Sequence, residues 1–146
     1  MQAMEISRTG LDVEWRRLEI ISENLANMNS ARTGAEPLYR ERHLITGPRA
    51  HFPSYMAPAA VAGDGSAGQL VGVDIYGVQE SDAAPRLVHE PGSPQADAQG
   101  MVAYPNVDHA SQMLQMIKTS RAYEANMVAM AAARQMYVKA LELGRR

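Results

Sequence analysis

Helix-breaking residues are confined to the middle of this chain. All eight prolines and nine of the eleven glycines fall between residues 29 and 105, and only Gly10 and Gly144 lie outside. Proline removes a backbone donor and clashes with the preceding turn, and glycine costs about 1 kcal/mol inside a helix. Both ends can therefore run as continuous helices, and the middle cannot. The pattern divides the 146 residues into zones 1–33, 34–105 and 106–146. It predicts a helix over 4–28 and a longer one over 107–143, with Gly144 placed as the residue just past its end. The class expected is α+β: long N- and C-terminal helices with a small, irregular, β-rich middle.

The first helix carries two apolar stripes. Leu11, Trp15, Leu18, Ser22 and Leu25 share one side at ~100° per residue. Ile6, Val13 and Ile20 lie roughly opposite, continued by the amides Asn24 and Asn27. A helix on one small core needs a single stripe, so two stripes imply neighbours on two sides. The second helix has a broad apolar face containing Met113, Met116, Ile117, Ser120, Tyr123, Met127, Met130, Tyr137, Val138 and Leu141. Met113, Met116, Ser120, Tyr123, Met127 and Met130 follow a 3-4 spacing like a heptad seam, which Arg134 then interrupts. Ala122, Ala129, Ala133 and Ala140 line the reverse side, either as simple helix formers or as a close-approach strip.

Size and composition point the same way. A straight helix over 107–143 is roughly 55 Å long, whereas a compact chain of this length is about 40 Å across. Hydrophobic residues reach 46%, but much of that is alanine and methionine, and aromatics are limited to Trp15, Phe52 and six tyrosines. Alanine buries little area and methionine specifies packing poorly. Such helices need partners outside the chain.

In the middle zone, strands are predicted at 39–46, 70–79, 86–90 and 101–104. The second is marked by Val71, Val73 and Ile75 alternating with Gly72 and Asp74. The stretches 91–94 and 97–100 read as turns. Residues 47–68 are rich in Pro, Ala, Gly and Ser and are expected to form a flexible loop.

The search for chemistry comes back nearly empty. His43, His51, His89 and His109 form no paired-ligand motif, and no phosphate-binding glycine loop occurs. Asp97-Ala-Gln-Gly100 lacks the further carboxylates of a calcium loop and is better read as a turn. No catalytic residue, metal or cofactor is expected, and no small-molecule substrate. The absence of cysteine excludes disulfides and thiolate metal sites. A net charge of −2 argues against a nucleic-acid partner. No apolar run is long enough to span a membrane. The first ten residues carry Glu5 and Arg8, so no cleavable secretory signal is expected.

The segment Ser22-Glu-Asn-Leu-Ala-Asn-Met-Asn-Ser30 resembles the N-terminal signature of the bacterial flagellar axial proteins, the rod and hook subunits. Ala103-Tyr-Pro-Asn-Val-Asp108 and Met113-Leu-Gln-Met-Ile-Lys-Thr-Ser-Arg-Ala-Tyr-Glu-Ala-Asn126 resemble the C-terminal motif of the proximal rod proteins. The stretch 86–100 and the ending 139–144 fit the same family, while 47–68 matches no pattern in it.

The resemblance implies a structural subunit of the basal-body rod, located in the periplasm. It also implies export through the flagellar export apparatus as an unfolded chain. The terminal helices would pair as a coiled coil and transmit torque. Partners implied are copies of itself, other rod subunits, the membrane-ring adaptor and distal rod proteins. The assembly surface is expected at Leu11, Trp15, Leu18, Ile20, Asn24, Leu25 and Asn27, with Met113, Met116, Ile117, Tyr123, Met127, Met130, Tyr137 and Leu141. The alternative is an adaptor built on a helical hairpin that binds a single partner.

Overall fold

The computed structural model describes residues 2–31, 37–49 and 72–144. The element order is α1 (Gln2–Asn27), β1 (Arg42–Pro48), β2 (Val73–Glu80), β3 (Arg86–His89), β4 (Met101–Tyr104) and α2 (His109–Gly144). The class is α+β, with two long terminal helices and a small β region between them.

Each helix end has an identifiable cause. α1 stops at Asn27, whose carbonyl accepts both the backbone N–H of Ser30 (3.0 Å) and its hydroxyl (2.7 Å). α2 starts two residues later than the breaker pattern suggests. Asp108 caps it by accepting from the N–H groups of Ala110 and Ser111, both at 3.2 Å. Gly144 is helical rather than a terminating residue. At ~1.5 Å per residue the 36 residues of α2 extend roughly 54 Å.

The strands form two separate two-stranded sheets, β1–β2 and β3–β4. Backbone bonds from Arg49 to Gly72 (3.1 Å) and from Ser81 to Glu41 (2.7 Å) extend the first pair at opposite ends, so its strands are antiparallel. Gly47 and Pro48 belong to β1, not to the expected loop, the rest of which lies outside the described residues apart from Arg49. The expected half-buried alternation in β2 is not found. Val73, Ile75, Tyr76 and Val78 are all exposed, and Val71 lies outside the described residues.

β3 and β4 pair antiparallel, with Val88 opposite Val102 and Arg86 opposite Tyr104. Their connection turns on Asp97, whose Oδ1 accepts from the N–H groups of Gln99 and Met101, both at 2.9 Å. Gly100 then takes a left-handed φ of 75°. The turn reading of this stretch is the correct one.

The described chain divides into two compact units. One contains residues 2–15, 46–49, 72–76 and 121–144; the other contains 16–31, 37–45 and Gly77–Ser120. In the first, Thr9 and Val13 are buried. Here the Thr9 hydroxyl donates to the Ile6 carbonyl (2.8 Å) and accepts from the Val73 N–H (3.0 Å). Gly72 permits that approach, because a Cβ there would overlap the Thr9 hydroxyl. In the second unit the core is Ile20, Ile21, Val102 and Pro105, joined by the polar Asn24, Gln112 and Thr119. The modest apolar core matches the composition.

Candidate assembly interface

The second stripe of α1 faces inward. Thr9, Val13, Ile20 and Asn24 are buried, and Ile6 is half-buried. The partner stripe on α2 shares Met116, Tyr123 and Met130 with the methionine seam that hydropathy picks out, but its alternate positions lie one residue earlier, at Gln112, Thr119 and Asn126 in place of Met113, Ser120 and Met127. Gln112 and Thr119 are buried, and Met116, Tyr123, Asn126 and Met130 are half-buried. These also follow a 3-4 spacing, but every seventh residue, at Gln112, Thr119 and Asn126, is polar.

Contacts fix this pairing in each unit. In the first, a Cβ on Gly10 would lie 3.0 Å from the Asn126 amide, and the Trp15 and Tyr123 rings sit 6.3 Å apart at 49°. In the second, the Asn24 amide donates to the Gln112 side-chain oxygen at 3.2 Å. Within the first unit the partners run in opposite directions, so there α1 and α2 pair antiparallel.

Asn24 is the centre of a polar knot. Its Nδ2 also donates to the Arg42 carbonyl (2.9 Å), and its Oδ1 accepts from the Arg42 N–H (2.9 Å) and the Tyr39 hydroxyl (2.7 Å). All four hydrogen-bonding positions of the amide are used. Towards Arg42 the side chain substitutes for a neighbouring strand's peptide group. Gln112 in turn donates its Nε2 proton to Glu41 at 2.6 Å. The Tyr39 phenol is pushed above its ordinary pKa, chiefly by burial, with the nearby Arg42 guanidinium opposing. Asn27, by contrast, bonds locally, donating to the Glu23 carbonyl at 2.8 Å. Gln112, Glu41, Tyr39 and Arg42 were not among the residues expected to matter. The seven-residue spacing of Gln112, Thr119 and Asn126 was the available signal for the first.

The expected assembly residues thus separate into groups. Ile20 and Asn24 are buried within the chain and have no surface to offer a neighbour. Leu11, Leu18, Leu25, Asn27, Met116, Tyr123 and Met130 are half-buried. Trp15, Met113, Ile117, Met127, Tyr137 and Leu141 are exposed, as are the unanticipated Leu114, Val128 and Met136. Of the alanine strip, Ala129 and Ala140 are exposed and Ala122 and Ala133 half-buried. In the first unit a groove of about 650 Å³ runs along α2, lined by Met4, Met127, Met130, Val138 and the charged Arg134 and Lys139.

Among the described residues no cluster of three potential metal ligands occurs, and no helix is long and apolar enough to cross a membrane.

Comparison with known proteins agrees with these features. Residues 98–143 match the family described as flagellar basal body rod FlgEFG protein C-terminal. The flagellar basal-body rod protein FlgC of Bacillus subtilis (strain 168) is 33% identical over 147 residues, covering 98% of this chain and 97% of its own length. FlgC of Salmonella typhimurium (strain LT2) is 33% identical over 144 residues, covering 99% and 97%. FlgC of Borreliella burgdorferi is 31% identical over 146 residues, covering 97% and 95%. With relatives aligned across nearly its whole length, the chain belongs to the FlgC family of flagellar basal-body rod proteins.

Proposed function

We propose that this structural subunit of the basal-body rod assembles by laying the outward apolar faces of α1 and α2 against neighbouring subunits. One observation carries this reading. The chain spends polar residues on its own helix pairing and leaves Met113, Ile117, Met127, Tyr137 and Leu141 exposed. Exposed apolar surface on this scale marks contact with another molecule. A face on each of two long helices suits head-to-tail contacts that do not close, and such contacts build a helical polymer.

In this reading zones 1–33 and 106–146 carry assembly and zone 34–105 decorates it. Torque passes through the packed helices, and no reaction is catalysed. Neighbours are further copies and other rod subunits, with the membrane-ring adaptor and distal rod proteins at the two ends. The location is the periplasmic rod, reached through the flagellar export apparatus. The absence of cysteine and the small apolar core both suit passage as an unfolded chain.

Ile117→Glu tests the proposal. Ile117 is 51% exposed, so the purified variant should keep its stability to within about 0.5 kcal/mol. Its incorporation into basal bodies, and with it motility, should be lost. Normal incorporation of the stable variant would contradict the proposal.

A further inference from the structure

We infer that the polar positions of the helix seam, and the Gln112–Asn24 pair above all, set the register of α1 against α2 and so keep the outward faces in phase for assembly. The inference rests on the assembly reading only for what the register serves.

Three observations lead to it. The most deeply buried position on α2 is an amide, since Gln112 is 0% exposed while Met113, Leu114 and Ile117 beside it are exposed. Hydrophobic burial alone would turn the helix the other way. Next, the polar residues recur at every seventh place, at Gln112, Thr119 and Asn126. Along such a seam the alternate residues Met116, Tyr123 and Met130 are all large and mainly apolar. A slip of seven residues would therefore cost little apolar contact.

Finally, the pairing at Gln112 is not interchangeable with its repeats. Gln112 Oε1 receives the Asn24 amide at 3.2 Å, and its Nε2 reaches the Glu41 carboxylate at 2.6 Å. Glu41 belongs to the segment leading into β1 and is held beside α1 by the bonds of Asn24 to Arg42 and Tyr39, so it does not follow α2. After a slip, Thr119 would stand where Gln112 stands, and its short hydroxyl could not span Asn24 and Glu41. The buried Asn24 amide would lose its acceptor and the half-buried Glu41 carboxylate its amide donor, which costs more than an apolar mismatch. A single buried polar position is known to specify helix register at some cost in stability.

The cysteine-free chain allows a direct readout. Gly10→Cys with Asn126→Cys reports the observed register, because a Cβ on Gly10 lies 3.0 Å from the Asn126 side chain. Gly10→Cys with Ala133→Cys reports a slip of seven residues. In the full-length purified chain, air oxidation should close the first pair and not the second. Adding Gln112→Leu should raise the slipped disulfide about tenfold, as expected for loss of one charge-assisted hydrogen bond. Glu41→Leu together with Gln112→Leu removes the carboxylate that the single change strands, and should give the same slip in a folded chain by circular dichroism. Observed-register disulfide alone in the folded double variant overturns the inference. So does loss of helical structure in both variants, which would make the knot a stability element. The readout uses the isolated chain, so its failure would leave the assembly reading intact.

Discussion

The side chains of Asn24 and Gln112, 88 residues apart in sequence, are hydrogen-bonded in the interior of the subunit. Through Arg42, Tyr39 and Glu41 the same two amides also bind the segment that enters β1. The Asn-Leu-Ala-Asn run is thus a structural junction of the subunit itself.

That junction sets the first expectation. Asn24→Asp keeps the acceptor for Tyr39 and the Arg42 N–H but loses both donated bonds, to the Arg42 carbonyl and to Gln112. Urea denaturation should show a loss of about 2–4 kcal/mol, the range for two stranded buried acceptors. A change below about 1 kcal/mol would show that the knot is not under strain to stay satisfied.

Gly72→Ala should destabilise by about 1–3 kcal/mol, as for overpacking elsewhere. The added Cβ would overlap the Thr9 hydroxyl and separate Thr9 from the Val73 N–H. A conservative check is Thr9→Ser, which keeps the bond and should lose less. Equal thermal stability of Gly72→Ala and wild type would contradict the close packing of α1 on the start of β2.

Alkaline pH should weaken the fold through Tyr39. Burial raises its pKa in the folded chain above the ordinary value near 10. Below about pH 10 the phenol is neutral in both states and its contribution is fully present. Above that, the unfolded chain releases its proton first, and the contribution is lost as pH rises through the raised folded value. Denaturation at pH 9 and pH 11 should show this decline, and Tyr39→Phe should make it shallower. An identical decline in both chains would remove Tyr39 as the cause.

Ala129 is exposed in the single chain. Ala129→Trp should therefore leave the subunit's melting unchanged while blocking its incorporation into rods, if another helix approaches this strip. A motile Trp variant would show that alanine is there only for its helix propensity.

Much of the fold is legible in the sequence for one reason: backbone rules are local. The exclusion of proline and glycine from both ends places each helix end within two residues of where it lies. Turn chemistry finds the Asp97–Gly100 corner for the same reason. Which face meets which partner is not local. Leu11 and Trp15 on one stripe and Val13 and Ile20 on the other are both apolar, and nothing in their spacing says which stripe stays inside. On α2 the methionines outweigh Gln112, Thr119 and Asn126 in any hydropathy argument, so the seam is read correctly at Met116, Tyr123 and Met130 and one residue too late at the positions between them. Gln112 is buried because Asn24 and Glu41 supply its hydrogen bonds, and those partners come from distant parts of the chain.

The most direct measurement compares two adjacent residues of α2. Met116 is half-buried on the inner seam, and Ile117 is exposed on the outer face. Each is replaced in turn by cysteine and labelled with a thiol-reactive benzophenone, and basal bodies carrying the labelled chain are irradiated. Crosslinks from Ile117→Cys to neighbouring rod subunits, with Met116→Cys crosslinking only within its own chain, are the expected result. Intersubunit crosslinks from Met116→Cys and none from Ile117→Cys would contradict assembly through the outward helix faces.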